Sequence, residues 1–203
     1  MCPEKGVNAA FILFKFLKTI TDEDLVLFMN KYLTDDPFGE KGGFKCFKEG
    51  MGNLTENVGI VKIEKGEVFI GIDFRIPSDE DVLRVEDNLK NILKDTSTIT
   101  SCDFEASSFI SEGKTKYVHY VDEKSELVQA LLKSYSSVTG DTKNKAYTIG
   151  GGTYAKGLKN VVAFGPQFVG SEDVDHQADE YINIEDYKKV IAIYVMAIYE
   201  LTK

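Results

Sequence analysis

Apolar residues recur at helical spacing over most of this chain, interrupted by one clear stretch of strand alternation. From Val7 to Ile20 the run is almost wholly apolar, with Asn8, Lys15 and Lys18 as its polar stripe. So narrow a polar face predicts a mostly buried helix. Thr21 and Asp24 are spaced like a capping box with aspartate in place of glutamate. They precede a second helix with Leu25, Phe28, Met29, Tyr32 and Leu33 on one face, closed by Asp36-Pro37. Residues 37–57 are glycine-rich and read as loop. Two strands then flank the turn Glu64-Lys65-Gly66, and in the second Val68, Ile70, Ile72 and Phe74 share one face. Asp73 and Arg75 fall on the opposite face. Pro77-Ser78 stops that strand, and Ser78 is placed to cap a third helix. This helix buries Val82, Val85, Leu89, Ile92 and Leu93 and exposes Asp81, Arg84, Asp87 and Lys90. Residues 98–110 and 115–121 read as further strands.

Helices and strands up to this point follow the order of an α+β two-layer unit, which places a domain boundary near residue 121. Residues 1–121 and 122–203 are then the two parts. The second part opens with a helix carrying Leu127, Val128, Leu131, Leu132, Tyr135 and Val138, with Gly140 just past its end. A βαβ-like segment follows: a short strand at Tyr147–Ile149, three glycines (Gly150, Gly151, Gly152), a short helix, and a strand at Val161–Phe164. Asn183 caps a last helix, Ile184 to about Leu201, apolar on most of its surface. Its tyrosine and isoleucine stripe reads as core rather than as a ligand box.

Composition narrows the classes. The 203 residues are 43% hydrophobic, ordinary for a globular protein with one or two cores. A net charge of −9 argues against nucleic acid and anionic membranes as partners. The three cysteines, Cys2, Cys46 and Cys102, are odd in number and scattered, with no metal-type spacing, which suggests a reducing compartment. No apolar run reaches the roughly 18 residues of a membrane span, and the N-terminus lacks the layout of a signal peptide.

Candidate chemistry is sparse. Glycines between a strand and a helix let backbone N–H groups approach a ligand, although this spacing fits neither phosphate-loop pattern. His176, in an acidic loop, is either a metal ligand or a surface histidine, and one histidine cannot make a metal site. Arg75 can grip a carboxylate bidentately or simply pair with Asp73. His119, beside Tyr117 and Tyr120, reads as a strand-end histidine.

Read together, YTIGGGTYAKGLKNVVAFGP and VDHQADEYINIEDYKKVIAIYVMAIYEL resemble the C-terminal end of the co-catalytic zinc exopeptidase and aminoacylase family. GVNAA (Gly6–Ala10), FGEK (Phe38–Lys41), MGNLT (Met51–Thr55) and DFRIP (Asp73–Pro77) resemble its bacterial dipeptidase branch, in the expected order. The resemblance implies a ferredoxin-like lid domain over 1–121, then the closing segment of an α/β zinc-peptidase catalytic domain over 122–203. It implies two zinc ions sharing a water, with His176 as one metal ligand. Arg75 would grip the C-terminal carboxylate of a short peptide. Gly151, Gly152 and Thr153 would line the substrate cleft. Lys156 stands where the family often has arginine. Most zinc ligands and the glutamate base belong to a half of the catalytic domain with no counterpart here, so no catalytic residue is expected in this chain. The resemblance therefore implies the C-terminal part of a cytoplasmic dipeptidase, inactive alone and prone to self-association through 122–203. A related deacylase or desuccinylase, or a non-catalytic module that binds peptide carboxylates, are the alternatives.

Overall fold

The computed structural model describes residues 3–172 and 174–203; Cys2 lies outside the described residues. Among the described residues are five α-helices and three two-stranded antiparallel sheets, a mixed α/β arrangement. The chain divides into two units: residues up to His119 together with Ile149–Gly151, and Tyr120–Thr148 together with Gly152–Lys203.

The first unit is built on a long hairpin, β3 (Thr55–Glu64) and β4 (Glu67–Arg75), preceded by the short pair β1 (Phe47–Lys48) and β2 (Gly52–Asn53). Lys65 and Gly66 both take left-handed backbone angles (φ 53° and 85°), the form that matches the twist of the flanking strands. The register slips between Val58 and Ile60, a bulge that leaves Gly59 unpaired. Before it, Leu54, Glu56 and Val58 face inward; after it, Val61 turns toward the core and Ile60 outward. On β4, Ile70, Ile72 and Phe74 meet the core as the alternation predicts, while Val68 is exposed.

Helices α1 (Ala9–Leu17), α2 (Asp24–Tyr32) and α3 (Asp81–Ile92) supply the rest of this core: Phe11, Phe14, Val26, Phe28, Met29, Val85 and Leu89. Asn8 caps α1, accepting from Ala10 N and Phe11 N, and donates to Asn57 Oδ1 and Val58 O, which ties the helix to β3. The first helix is shorter than its apolar run and is not mostly buried. Phe11 and Phe14 are enclosed, but Ile12, Leu13 and Phe16 are exposed, since α2 and β3 cover only one side of it.

The expected capping box at Thr21 and Asp24 does not form either. Glu23 is the N-cap of α2, without a side-chain bond. The Asp24 carboxylate instead accepts from Ser97 N, Thr98 N and the Thr96 and Thr98 hydroxyls. Those hydroxyl bonds, led by Thr96, hold its carboxyl below the usual range. Ser78 likewise is not the N-cap of α3, which begins after Glu80; its Oγ accepts from Glu80 N one turn earlier. Asp87 and Lys90 are exposed as expected, whereas Asp81 and Arg84 are half-buried in an ion pair of 2.8 Å.

Strands over 98–110 and 115–121 shrink to a small hairpin, β5 (Phe109–Ser111) and β6 (Lys114–Lys116). Ile99 and Phe104 reach the core as side chains, with no neighbouring strand for a ladder. β6 stops because Asp79 takes the next two backbone donors, Tyr117 N at 2.6 Å and Val118 N at 2.9 Å. His119 therefore lies beyond the strand, edge-on to Phe109.

The second unit pairs α4 (Glu126–Thr139) with α5 (Ile184–Thr202). Ser125 and Asn183 cap them, and Gly140 ends α4 with φ 72°, where a Cβ would be strained. The expected βαβ segment is absent among the described residues. Tyr147–Ile149 and Val161–Phe164 have no strand to pair with, and a 3-10 turn at Tyr154–Gly157 stands in place of the helix. Val161, Val162 and Phe164 instead help line an apolar cavity of about 260 Å³ with Leu131, Tyr194 and Ile198. On α5 only Val190, Ile193 and Ala197 are buried; Tyr187, Ile191, Tyr194, Ile198 and Tyr199 are exposed, so the tyrosine and isoleucine stripe is not core. No helix of the described residues is long and apolar enough to cross a membrane.

Candidate functional site

Alternation along β4 sets the first candidate. Arg75 is paired with Thr55 at the end of the strand and lies on the face opposite Phe74, so its side chain leaves the core. Asp73, two residues back, shares that face and accepts from Arg75 Nε at 2.8 Å. Arg75 Nη1 donates to the Gly150 carbonyl at 3.1 Å. Both bonds help to hold the plane of the guanidinium. The ion pair has 38% of the arginine side chain and 52% of the aspartate side chain exposed. A pair so open is worth at most about 1 kcal/mol. The sequence offered ion pairing and carboxylate recognition as alternatives, and the geometry contains the ion pair.

Gly150 and Gly151 carry ordinary backbone angles, and a Cβ at either would meet nothing closer than 3.7 Å. Neither conformation nor packing within this unit requires glycine there. Glycine at these positions leaves a bare strip of exposed backbone beside Arg75.

The other candidates belong to the second unit. A Cβ at Gly152 would lie 3.1 Å from Lys156 Nζ, so the lysine stem folds back over the glycine. Thr153 caps the 3-10 turn, its hydroxyl accepting from Ala155 N, which ties that oxygen to a local structural role. Lys156 was marked in the sequence only as a departure from arginine.

His176 is exposed and holds a left-handed backbone (φ 63°), as does Asp179 (φ 60°). The Glu180 carboxylate accepts from the His176 backbone N at 3.1 Å. Among the described residues no three histidine, cysteine, aspartate or glutamate side chains converge on a point that could hold a metal ion. The described side chains therefore do not by themselves make up a two-zinc centre.

Family comparison gives this arrangement its context. Residues 33–200 match Peptidase family M20/M25/M40, and the chain belongs to that family. It is 39% identical over 208 residues to the putative dipeptidase SH1171 of Staphylococcus haemolyticus, covering 99% of this chain and 42% of that protein. It is 37% identical over 206 residues to the putative dipeptidase MW1694 of Staphylococcus aureus and to a putative dipeptidase of Staphylococcus epidermidis, with the same coverage. The chain thus spans about two fifths of the length of the curated relatives it matches.

Proposed function

We propose that this chain is the substrate-clamping and closing part of a zinc-dependent dipeptidase that hydrolyses short peptides with a free C-terminal carboxylate. Residues 1–121 act as the ferredoxin-like lid and 122–203 as the end of the catalytic domain. Arg75 grips the carboxylate, Gly151, Gly152 and Thr153 line the cleft, and His176 is one metal ligand within a longer protein. By itself the chain lacks the ligands for turnover. One observation carries the reading: an oriented, half-exposed guanidinium beside backbone that is glycine for no internal reason.

The test is binding rather than turnover. An unblocked dipeptide and its C-terminal amide are titrated into the chain and followed by amide chemical shifts. The free carboxylate should bind and the amide should not. Arg75→Ala should weaken binding about 10- to 100-fold, as loss of a charge-assisted pair costs roughly 1.5–3 kcal/mol. Equal binding of acid and amide, or an unaffected Arg75→Ala, rules the clamp out.

The uncovered face of α5 supports self-association through 122–203. Ile184, Tyr187, Ile191, Val195 and Ile198 are each at least half exposed, and apolar patches of this kind mark contact surfaces. Sedimentation at micromolar concentration should give a species larger than one chain, and Ile191→Glu with Ile198→Glu should return it to monomer. A monomeric unmodified chain removes this part of the reading.

A further inference from the structure

The motifs Phe38–Lys41 and Met51–Thr55 have no part in the clamp, yet they converge on one residue. Glu56 follows the second motif on β3 and shares the inward parity of Leu54 and Val58. Only 1% of it is exposed, and neither carboxyl oxygen has a hydrogen-bond partner among the described residues. Above it lies the loop 37–44. Glu56 N donates to Pro37 O at 2.9 Å, and a Cβ on Gly39 would sit 3.4 Å from Glu56 Oε2. Gly39 holds φ 68° and its carbonyl accepts from Phe44 N and Lys45 N, folding the loop down onto the strand.

The charges around Glu56 do not neutralise it. Asp36, itself buried, accepts from Glu40 N and Lys41 N and so presents a second carboxylate. The Lys41 ammonium is directed to the Thr34 carbonyl. From β4 the opposite residue is Phe74, which is uncharged. Glu40 is paired with Lys45, and on α3 Asp81 is paired with Arg84. Burial first, and Asp36 second, push the Glu56 carboxyl up to about 9 against the opposing pull of Lys41.

We propose that Glu56 and the loop 37–44 form a proton-linked latch: the loop closes over the neutral carboxylic acid and lifts when the carboxylate forms and must be hydrated. The far end of the loop stays anchored, because Arg84 and Asn88 hold the Gly43 carbonyl. The segment that moves is therefore residues 37–42.

Linkage fixes the sign. Glu56 binds its proton more tightly with the loop shut than in water, so closure is fully favoured below the ordinary carboxyl value of 4.5 and is lost as pH rises toward about 9. Between those limits the open population rises about tenfold per pH unit.

The experiment is amide hydrogen exchange on the whole chain and on Glu56→Gln, compared at matched pH so that intrinsic exchange cancels. The ratio of loop opening in the unmodified chain to that in Glu56→Gln should grow about a hundredfold from pH 6 to pH 8. A ratio that stays constant overturns the latch. So does a matching rise at α2 and α3, which would mean that the charge unfolds the whole unit. If Glu56→Gln does not fold, carbon-13 titration of the Glu56 carboxyl decides. A midpoint near 9 with coincident shifts at residues 37–42 upholds the latch, and a midpoint near 4.5 overturns it.

Discussion

Phe44→Ala should lower the stability of the first unit by about 4 kcal/mol. Phe44 is the largest of its fully buried side chains, with 0% exposure, and its ring meets Phe74 edge-on at 5.0 Å. The backbone wraps it closely: a Cβ on Gly42 would lie 2.1 Å from Phe44 Cε2. The void left by alanine cannot close without moving that glycine turn off its Arg84 and Asn88 anchors. Against a typical domain stability of roughly 5–15 kcal/mol, this is a large fraction. Urea unfolding followed by circular dichroism should show an earlier midpoint at unchanged slope. A loss below about 1 kcal/mol would mean that the ring is not the centre of this core.

Asp79→Ala should cost about 2 kcal/mol and free residues 116–118. The Asp79 carboxylate receives Tyr117 N, Val118 N and Lys116 Nζ. Burial pushes its carboxyl up, but those three donors outweigh burial and leave it below the usual value of 3.8. A depressed carboxyl contributes stability that is present above the unfolded value and lost as pH falls through the folded one. The difference in unfolding midpoint between the unmodified chain and Asp79→Ala should therefore be constant from pH 7 to pH 5 and shrink below pH 4. Equal midpoints at neutral pH would refute the anchoring role.

Local signals were legible where the chain satisfies itself nearby. The β3–β4 hairpin follows from the alternation of β4 beside the turn at Lys65-Gly66, the end of α4 from Gly140 and the start of α5 from Asn183. Misreadings came where distant partners recruit the groups that were expected to act locally. Asp24 was spaced to cap its own helix and instead caps residues 96–98; Asp79 ends a strand some forty positions away. Val161–Phe164 has the composition of a strand, but a strand exists only with a partner, and the unit supplies an apolar cavity in its place. Of the site, the facing of Arg75 was readable from period two. The Gly150 carbonyl that orients it was not, because seventy-five positions separate the pair. The burial of Glu56 was hidden for a different reason: a charged residue at an inward position runs against the ordinary reading of the pattern.

Arg84 is a mechanical fastener. From one turn of α3 its guanidinium donates to the carbonyls of Gly43, Phe44 and Lys45, while Asp81 holds Nε from the same helix. Three successive peptide groups are thus fastened to a helix by a single planar fork, which a lysine ammonium could not reproduce. The strip 43–45 loses its independent degrees of freedom and becomes an outrigger of α3. Any slide or roll of the helix carries the Phe44 ring with it, so the helix cannot shift without displacing the centre of the core.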